Sequence, residues 1–254
     1  MFEGKKVLVL GVANKKSIAW TITETLAKQG ADIALTYMNE AIEKRVRPLA
    51  ASIECDTILK CDVQSDEDLD KLFADLESKW GKIDAIVHSV AFADREDLQK
   101  PFSETSRAGF ALAMDISAYS LVAIAGRAKK LMPEGGSIVT MTYLGSERVV
   151  KNYNVMGVAK AALESSVRYL SADLGEKGIR VNAVSAGPVK TLAASGIPGF
   201  KELLAKFEEV SPLKRNVSLE DVAGTAQYFL SPLSSGVTGE VTYVDCGFST
   251  IGIG

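Results

Sequence analysis

Short apolar runs alternate with segments of helical periodicity along most of this 254-residue chain. Such runs predict buried strands of a parallel sheet, and apolar residues three or four positions apart predict the helices between them. Strict alternation requires right-handed crossovers, so the expected fold is one doubly wound α/β sheet of about seven strands with helices on both faces. The predicted strands are 5–10, 32–37, 56–61, 83–88, 136–142, 179–185 and 240–244.

The predicted helices lie between these strands. They are 18–30, 39–52, 65–80, 103–131 and 153–175, with one or two more within 200–231. An interruption of the long 103–131 segment is expected near Asp115. Ser17 and Ser65 stand directly before two helices, where a side-chain oxygen can accept a hydrogen bond from a free backbone N–H, so both are predicted N-caps. The chain has no internal repeat or linker, and we expect a single domain over residues 1–254.

Composition excludes several classes of function. Lys and Arg number 29 against 32 Asp and Glu, which gives a formal net charge of −3, and no long basic run favours nucleic acid as a partner. No stretch approaches ~20 uninterrupted apolar residues, and the start is too short for a signal peptide, so we expect a cytoplasmic protein without a membrane span. The three cysteines, Cys55, Cys61 and Cys246, lack metal-ligand spacing, so no metal site is expected.

In a doubly wound sheet, ligands bind beyond the carboxyl ends of the strands. The first strand ends at Gly11, and the loop from Gly11 to Ser17 leads into a helix whose N-terminal N–H groups can hold a pyrophosphate. The loop departs from the G-x-G-x-x-G pattern, because position 13 is Ala13 and the third glycine is missing. The sequence of this loop fits both a dinucleotide-binding loop and an ordinary strand–helix turn.

The end of the second strand bears on the choice of dinucleotide. It reads Thr36-Tyr37-Met38-Asn39 and offers no cation for a 2′-phosphate, which favours NADH. Lys44 and Arg45, a turn or more into the next helix, keep NADPH open as the less favoured cofactor. At the end of the third strand, Asp62 could accept a hydrogen bond from an adenine amino group or serve as an acid at a helix N-terminus.

The segment from Tyr143 to Lys160 holds the candidate catalytic residues. Tyr143 follows a strand, and Tyr153 precedes Lys160 by seven positions. Residues i and i+7 of a helix lie on nearly the same face, about 10 Å apart along the axis, or closer if Tyr153 sits just before the first turn. A nearby ammonium favours the anion of a phenol and makes it a better proton donor. The alternative is a surface helix with an incidental Tyr and Lys.

Seven motifs resemble those of NADH-dependent bacterial enoyl-acyl-carrier-protein reductases, a divergent branch of the short-chain dehydrogenase/reductase family. They are GVANKKSIAW, CDV at 61–63, HSVAFA at 88–93, YLGSER, YNVMGVAK, RVNAVSAGPVKTLAASGI at 180–197 and SSGVTGEVTYVDCGF at 234–248. The most diagnostic elements are the Tyr-x6-Lys spacing, in place of the usual Tyr-x3-Lys, and the additional Tyr143. The similarity covers essentially the whole chain and implies a Rossmann-like fold.

The resemblance implies a reaction and its residues. A hydride passes from nicotinamide C4 to C3 of a trans-2-enoyl thioester, and the enolate is protonated at C2, as the last step of fatty-acid elongation. Tyr153 would donate its O–H to the thioester oxygen, Lys160 would bind the nicotinamide ribose, and Tyr143 would lie on the pocket wall near the reacting carbon. His88 is expected to be a core residue and not a general acid.

The same resemblance implies two sets of contacts. The cofactor contacts are Gly11, Ser17, Ile18, Met38, Asp62, Val63, Val90, Lys160, Val189, Lys190, Thr191, Leu192 and Ala193. The substrate contacts are Phe92, Ala93, Leu98, Tyr143, Tyr153, Met156, Ala193, Ile197 and Phe200. Residues 191–210 are expected to form a mobile helical lid, with an ordinary surface helix as the alternative. The implied partners are an acyl carrier protein and three further copies of the chain in a homotetramer, packed through 103–131 and 153–175.

Two other functions remain open from the sequence. One is a carbonyl reductase of the same fold that acts on a 3-oxoacyl thioester, although the Tyr-x6-Lys spacing and the lack of a matching catalytic serine argue against it. Thr140 and Thr142 lie near the place of that serine, and neither is assigned a catalytic role. The other is a dinucleotide-binding sensor without activity, which the presence of Tyr153 together with Lys160 disfavours.

Overall fold

A computed structural model describes residues 1–191 and 199–252. Its seven strands form one sheet in the order β3-β2-β1-β4-β5-β6-β7, and every neighbouring pair is parallel. The predicted doubly wound, Rossmann-like sheet is therefore confirmed, with strand ends within a residue or two of expectation. The strands are β1 Lys6–Leu10, β2 Asp32–Tyr37, β3 Thr57–Lys60, β4 Ala85–His88, β5 Gly136–Thr142, β6 Ile179–Ala186 and β7 Val241–Val244.

Helices cover both faces of this sheet. One core cluster joins the sheet to α1 and α9, and a second joins it to α3, α6 and α7. In chain order the helices are α1 Ile18–Ala27, α2 Glu40–Ser52, α3 Asp66–Trp80, α4 Arg95–Gln99, α5 Arg107–Met114, α6 Ser120–Ala128, α7 Val155–Gly175, α8 Phe200–Val210 and α9 Leu219–Leu230. The short helix α4 was not expected, because its five residues carry no apolar periodicity.

The predicted helix 103–131 is not continuous. It begins later, as α5, and the expected interruption is a π-helical turn over Asp115–Tyr119 that leads directly into α6. Within this turn the buried Ser117 hydroxyl accepts a hydrogen bond from Phe92 N (2.9 Å) and donates one to Phe92 O (3.0 Å). Such turns are frequent at functional sites, and this one fixes the loop that follows β4.

The segment Arg107–Ala128 is long and apolar enough to cross a membrane by length and composition alone, and half of its apolar window is buried within the protein. Its buried residues include Leu121 and Ile124, which belong to the same core cluster as Leu163 and Val167 of α7. The apolar side chains of α6 thus pack largely against the sheet and α7.

His88 is a core residue, as predicted. It is fully buried at the end of β4, with Nδ1 2.8 Å from Thr140 Oγ1 and Nε2 2.8 Å from Ser120 Oγ. Because the Ser120 hydroxyl donates its proton to Ile116 O (2.6 Å), Nε2 must be the protonated ring nitrogen and Nδ1 the acceptor. Burial, assisted by the positive charge of Lys160, lowers the pKa of His88 to about 3.

This buried neutral histidine should make stability depend on pH. The imidazole of His88 binds a proton near pH ~6.5 in the unfolded chain but only near pH 3 in the folded chain. The contribution of the neutral His88 to the free energy of unfolding is therefore complete above pH ~6.5 and is lost as pH falls below it. We expect the free energy of unfolding in urea to fall by about 1.5 kcal/mol between pH 6.5 and 5. His88→Gln, which hydrogen-bonds without titrating, should flatten this decline; equal slopes in the two proteins would contradict the assignment. The comparison is direct because His88 is the only histidine of the chain.

Candidate active site

The two candidate tyrosines meet beyond the carboxyl end of β5. Tyr143 directly follows that strand in an extended conformation, and its ring packs edge-on against Tyr153, with centroids 4.9 Å apart and an interplanar angle of 71°. Tyr153 lies before α7 and not within it, because Asn154 has a φ of 41° and the helix begins at Val155. The predicted helix start at 153 is therefore wrong, and the alternative position just ahead of the first turn is the one observed.

Two glycines that were not singled out from the sequence allow this arrangement. A Cβ at Gly145 would lie 2.8 Å from Tyr153 Cε1 and 3.3 Å from Tyr143 Cδ1. A Cβ at Gly157, in the first turns of α7, would lie 2.6 Å from the Gly145 carbonyl oxygen. Both contacts are closer than packed atoms tolerate, so only glycine lets α7 and the Tyr153 ring approach the loop after β5. The available signal was a glycine inside an otherwise apolar helical pattern.

The tyrosine hydroxyls lie in a poorly solvated environment. The Tyr143 hydroxyl is buried and finds no hydrogen-bond partner among the residues that the structure describes, and burial raises its pKa to about 12. Burial also raises the pKa of Tyr153, and the neighbouring Tyr143 and Glu164 act in the same direction. The expectation that Lys160 would lower the pKa of Tyr153 is thus wrong, because burial dominates. Tyr153 remains a neutral phenol and can donate its proton in a hydrogen bond.

Lys160 extends from α7 to the end of β5. Its side chain is buried, and Nζ donates to the carbonyl of Met141 at 2.8 Å. Burial lowers the pKa of Lys160 to about 8, and the charge of Glu164 opposes that shift. One residue further along β5, Thr142 Oγ1 donates to Glu164 Oε1 at 2.6 Å. The hydroxyls of Thr140 and Thr142 are thus bonded to His88 and Glu164, respectively.

The loop after β1 lies against the end of β4. Gly11 has a φ of 100°, and a Cβ there would overlap the Ser89 carbonyl oxygen, so this close approach requires glycine. Ser17 occupies the N-cap position of α1, but its hydroxyl donates to Asn14 O (2.6 Å) and makes no capping bond. The predicted N-cap position of Ser17 is therefore confirmed, but its expected side-chain capping bond is not formed. Ser65 caps α3 through Asp68 N (3.1 Å) as predicted.

The other predicted cofactor contacts lie at the ends of β2, β3, β4 and β6. Met38 is 51% exposed after β2, while Val63 and Val90 pack partly against the core. Asp62 Oδ1 accepts from Gln64 N at 3.1 Å, and Asp62 N donates to Asp68 Oδ2 at 3.0 Å, so Asp62 also organises its own turn. Val189, Lys190 and Thr191 follow β6. Leu192 and Ala193, together with Ile197 of the predicted substrate pocket, lie outside the described residues.

Several predicted substrate contacts surround the β4 loop and the starts of α7 and α8. Phe92 is 47% exposed, whereas Met156 and Phe200 are buried, and Ala93 and Leu98 are half-buried. A cavity of about 680 Å³ lies between the β1–α1 loop, the loop after β6 and the start of α8, with Asn14, Lys15, Thr191 and Phe200 among its lining residues. It brings together loops predicted to bind cofactor and the start of the predicted lid, while the two tyrosines do not line it.

The cysteines and acidic residues give no metal centre in the part of the chain that the structure describes, since no three His, Cys, Asp or Glu side chains cluster as ligands there. The three cysteines are free thiols, and Cys61 and Cys246 are buried. Burial raises the pKa of Cys61 to about 12, so this thiol is unreactive at neutral pH.

The packing of the Tyr153 ring against Gly145 can be tested by adding one methyl group at position 145. Gly145→Ala should lower the free energy of unfolding by about 1–3 kcal/mol, because the new Cβ must displace the Tyr153 ring or the backbone. Gly175→Ala is the matched control at the exposed end of α7, where a Cβ meets nothing within 4 Å. Urea unfolding of both variants checks this, and equal stability of Gly145→Ala and the control would show that the ring does not need the glycine.

Solved structures of other proteins share this architecture closely. The enoyl-(acyl-carrier-protein) reductase of Anaplasma phagocytophilum, solved in complex with NAD, is 50% identical with a TM-score of 0.96, covering 99% of this chain and 96% of that one. The enoyl-acyl carrier protein reductase of Bacillus cereus, solved with NADP+ and indole naphthyridinone, is 51% identical with a TM-score of 0.97, covering 99% of each chain.

Sequence comparison gives relatives with the same named activity. Enoyl-[acyl-carrier-protein] reductase [NADH] 1 of Rhizobium meliloti is 54% identical over 253 residues, which are 100% of this chain and 93% of the relative. The family model described as enoyl-(acyl carrier protein) reductase matches residues 11–249, a span that contains the tyrosine pair, Lys160 and Gly11. With the same fold, half of the residues in common and the matched span covering the whole candidate site, the chain belongs to the enoyl-acyl-carrier-protein reductase family.

Proposed function

We propose that this protein reduces trans-2-enoyl thioesters carried by an acyl carrier protein to acyl thioesters, with NADH as the hydride donor. The observation that carries the proposal is the edge-to-face pair of Tyr143 and Tyr153 on Gly145, with the buried Lys160 at the end of the same strand. The NADH-named relative at 54% identity and the NAD-bound structure at 50% identity support the choice of reaction and cofactor.

The residues at the strand ends fit a dinucleotide. Gly11 has no side chain, so its backbone can lie directly against the end of β4. The Ser17 hydroxyl does not cap α1, so the first backbone N–H groups of this helix are not bonded by a side-chain cap. These N–H groups would face the pyrophosphate, and the Lys160 ammonium would hold the ribose hydroxyls. When bound, NADH supplies the hydride that is added to C3 of the enoyl group.

The proposed cofactor contacts follow the ends of β1, β2, β3, β4 and β6, together with Lys160 from α7. They are Gly11, Ser17, Ile18, Met38, Asp62, Val63, Val90, Lys160, Val189, Lys190 and Thr191, together with Leu192 and Ala193 outside the described residues. Met38 is exposed at the end of β2, and no cation stands at positions 37–39 to pair with a 2′-phosphate. NADH is therefore the preferred cofactor, and NADPH the less favoured one.

Tyr153 acts in this proposal on the oxygen of the substrate. Negative charge develops there as the hydride reaches C3, and a neutral phenol of raised pKa donates a hydrogen bond to that oxygen without losing its own proton. A preorganised donor at a developing oxyanion supplies about 2.7–4 kcal/mol in the best measured case. Tyr143, whose ring packs against Tyr153, fixes the orientation of that ring and forms the pocket wall beside the reacting carbon.

The proposed acyl pocket combines Phe92, Ala93, Leu98, Met156 and Phe200 with the two tyrosines, and with Ala193 and Ile197 outside the described residues. Residues 191–210 form the proposed lid. Within α8, Phe207 is buried and stacks on Phe248 with centroids 3.7 Å apart and an interplanar angle of 13°. This contact anchors the carboxyl half of the lid, so the proposed movement takes place in the part of the lid that precedes Phe207.

The exposed apolar side chains of the helices support a proposal for how the chain assembles. Large apolar side chains remain exposed on α5, the π-helical turn, α6 and α7, which would suit the packing of four copies of the chain. They are Phe110, Tyr119, Val122, Val158 and Tyr169. The substrate would reach this tetramer bound to an acyl carrier protein, and we place the enzyme in the cytoplasm, in keeping with the bacterial relatives.

The reaction is tested by the loss of NADH absorbance when the purified protein is given crotonyl thioester. Turnover with this substrate supports the proposal. Turnover with acetoacetyl thioester in its place would indicate a carbonyl reductase, and NADH binding without turnover of either would indicate a dinucleotide sensor.

The division of roles predicts two different defects. Tyr153→Phe should lower kcat by about 100-fold or more, because it removes the oxyanion donor, while the Kd for NADH stays unchanged. Lys160→Ala should weaken NADH binding as well as the rate. Calorimetric Kd values and steady-state rates check both variants. The same defect in cofactor affinity for the two variants would overturn this division.

The lid predicts a ligand-dependent change in hydrogen exchange. Lid segments open at low free-energy cost, so peptides from 191–210 should exchange rapidly in the free protein and become protected with NADH and an apolar inhibitor of the diphenyl-ether type. Peptides that contain Phe207 should change least, because its ring is already stacked. Equal protection of the whole segment in the free protein, with cofactor alone and with both ligands would identify a fixed surface helix.

A further inference from the structure

Helix α7 carries two buried side chains of opposite charge one turn apart. Lys160 and Glu164 are each 5% exposed, and residues four apart lie on the same helix face. Burying either charge alone is costly, because the protein interior solvates ions poorly. Burial of the Glu164 carboxylate therefore requires a compensating interaction, and the proposed mechanism assigns this residue no role.

Two consecutive residues of β5 hold these side chains. Met141 O accepts from Lys160 Nζ at 2.8 Å, and Thr142 Oγ1 donates to Glu164 Oε1 at 2.6 Å. Each charged group is thus tied to the strand by its own bond, and the carboxylate acts on the ammonium through space. The strand end that leads directly into Tyr143 therefore sets the spacing between the two charges.

Other titratable groups face this pair from each neighbouring element. His88 of β4 senses the charge of Lys160 and stays neutral. Burial raises the pKa values of Tyr153, from the loop after β5, and of Tyr243 in β7; Tyr143 and Glu164 add to the shift of Tyr153, and Glu147, Glu164 and Asp245 add to that of Tyr243. The histidine and the tyrosines are neutral at physiological pH, and Glu164 is the carboxylate whose charge acts on Lys160.

We propose that Glu164, held by Thr142, is a positioning residue that supplies the buried counter-charge by which Lys160 stays protonated and able to bind the cofactor. The inference rests on the proposed role of Lys160 in NADH binding. Burial lowers the pKa of Lys160 to about 8, and Glu164 opposes this shift. NADH affinity should therefore fall as pH rises through about 8, and a neutral residue at 164 should move that fall to lower pH.

The test is the Kd for NADH, measured by calorimetry from pH 6 to 10 without any enoyl substrate. Glu164→Gln keeps the shape and removes the charge. We expect its loss of affinity about one pH unit below that of the wild type, which gives nearly equal Kd values at pH 6 and about a fivefold weaker one at pH 8. Glu176→Gln, the same change at the exposed end of the helix, is the control and should follow the wild type.

Glu164→Asp separates charge from shape. It keeps the charge on a shorter side chain, so its pH profile should lie closer to the wild type than that of Glu164→Gln. A purely structural role for Glu164 predicts the reverse order, because Gln preserves the packing better than Asp. That reverse order, or an unshifted profile for Glu164→Gln, would overturn the inference.

A second neutral variant covers the case in which Glu164→Gln does not fold. The double change Thr142→Val with Glu164→Met removes both members of the hydrogen bond between these two side chains, so neither is left unpaired. It should show the same downward shift, and a profile like that of the wild type would contradict the proposal. Lys160→Met should bind weakly without a fall near pH 8; if it binds as the wild type does, the proposed role of Lys160 fails, whatever the outcome at Glu164.

Discussion

The close approach of helix α7 to the end of strand β5 is the contact on which the rest of the site depends. Gly157 lies against the Gly145 carbonyl, and Gly145 lies under the ring of Tyr153. Because nothing larger than hydrogen fits at either position, the helix start comes within reach of the strand, and Lys160 can bind the carbonyl of Met141. An added methyl in such a packed place costs about 1–3 kcal/mol, comparable with a sizeable part of the stability of a domain.

The contact also determines the electrostatics of the site. Packing α7 onto the sheet removes water from Lys160, Glu164, Tyr153 and His88 together. Burial then disfavours the charged forms of the histidine and the phenol, which stay neutral, and the charge of Glu164 offsets part of the effect of burial on Lys160. The same desolvation strengthens the interactions of the lysine and the phenol with any ligand that enters.

The sheet could be read from the sequence because its strands are buried on both faces and therefore appear as continuous apolar runs, such as 136–142. The tyrosine pair and Lys160 could be located by their spacing. The start of α7 was predicted two residues early, at 153, because the positive φ of Asn154 leaves no mark in the apolar pattern. The pKa of Tyr153 was misjudged because a pairwise charge is visible in a sequence, whereas the depth of burial that outweighs it is a property of the packed fold.

The π-helical turn at Asp115–Tyr119 has a consequence for how this family can vary in length. A π turn accommodates one residue more than the α-helix around it, so deleting a single residue there would restore regular α-helical pitch and leave α5 and α6 in nearly their present orientation. If Ser117 were the residue deleted, the backbone N–H and C=O of Phe92 would both lose their bond to its hydroxyl, and the loop after β4 would lose its fixed position. A one-residue deletion, harmless in most helix-connecting loops, would here disturb the loop that carries Phe92 and Ala93 of the proposed acyl pocket.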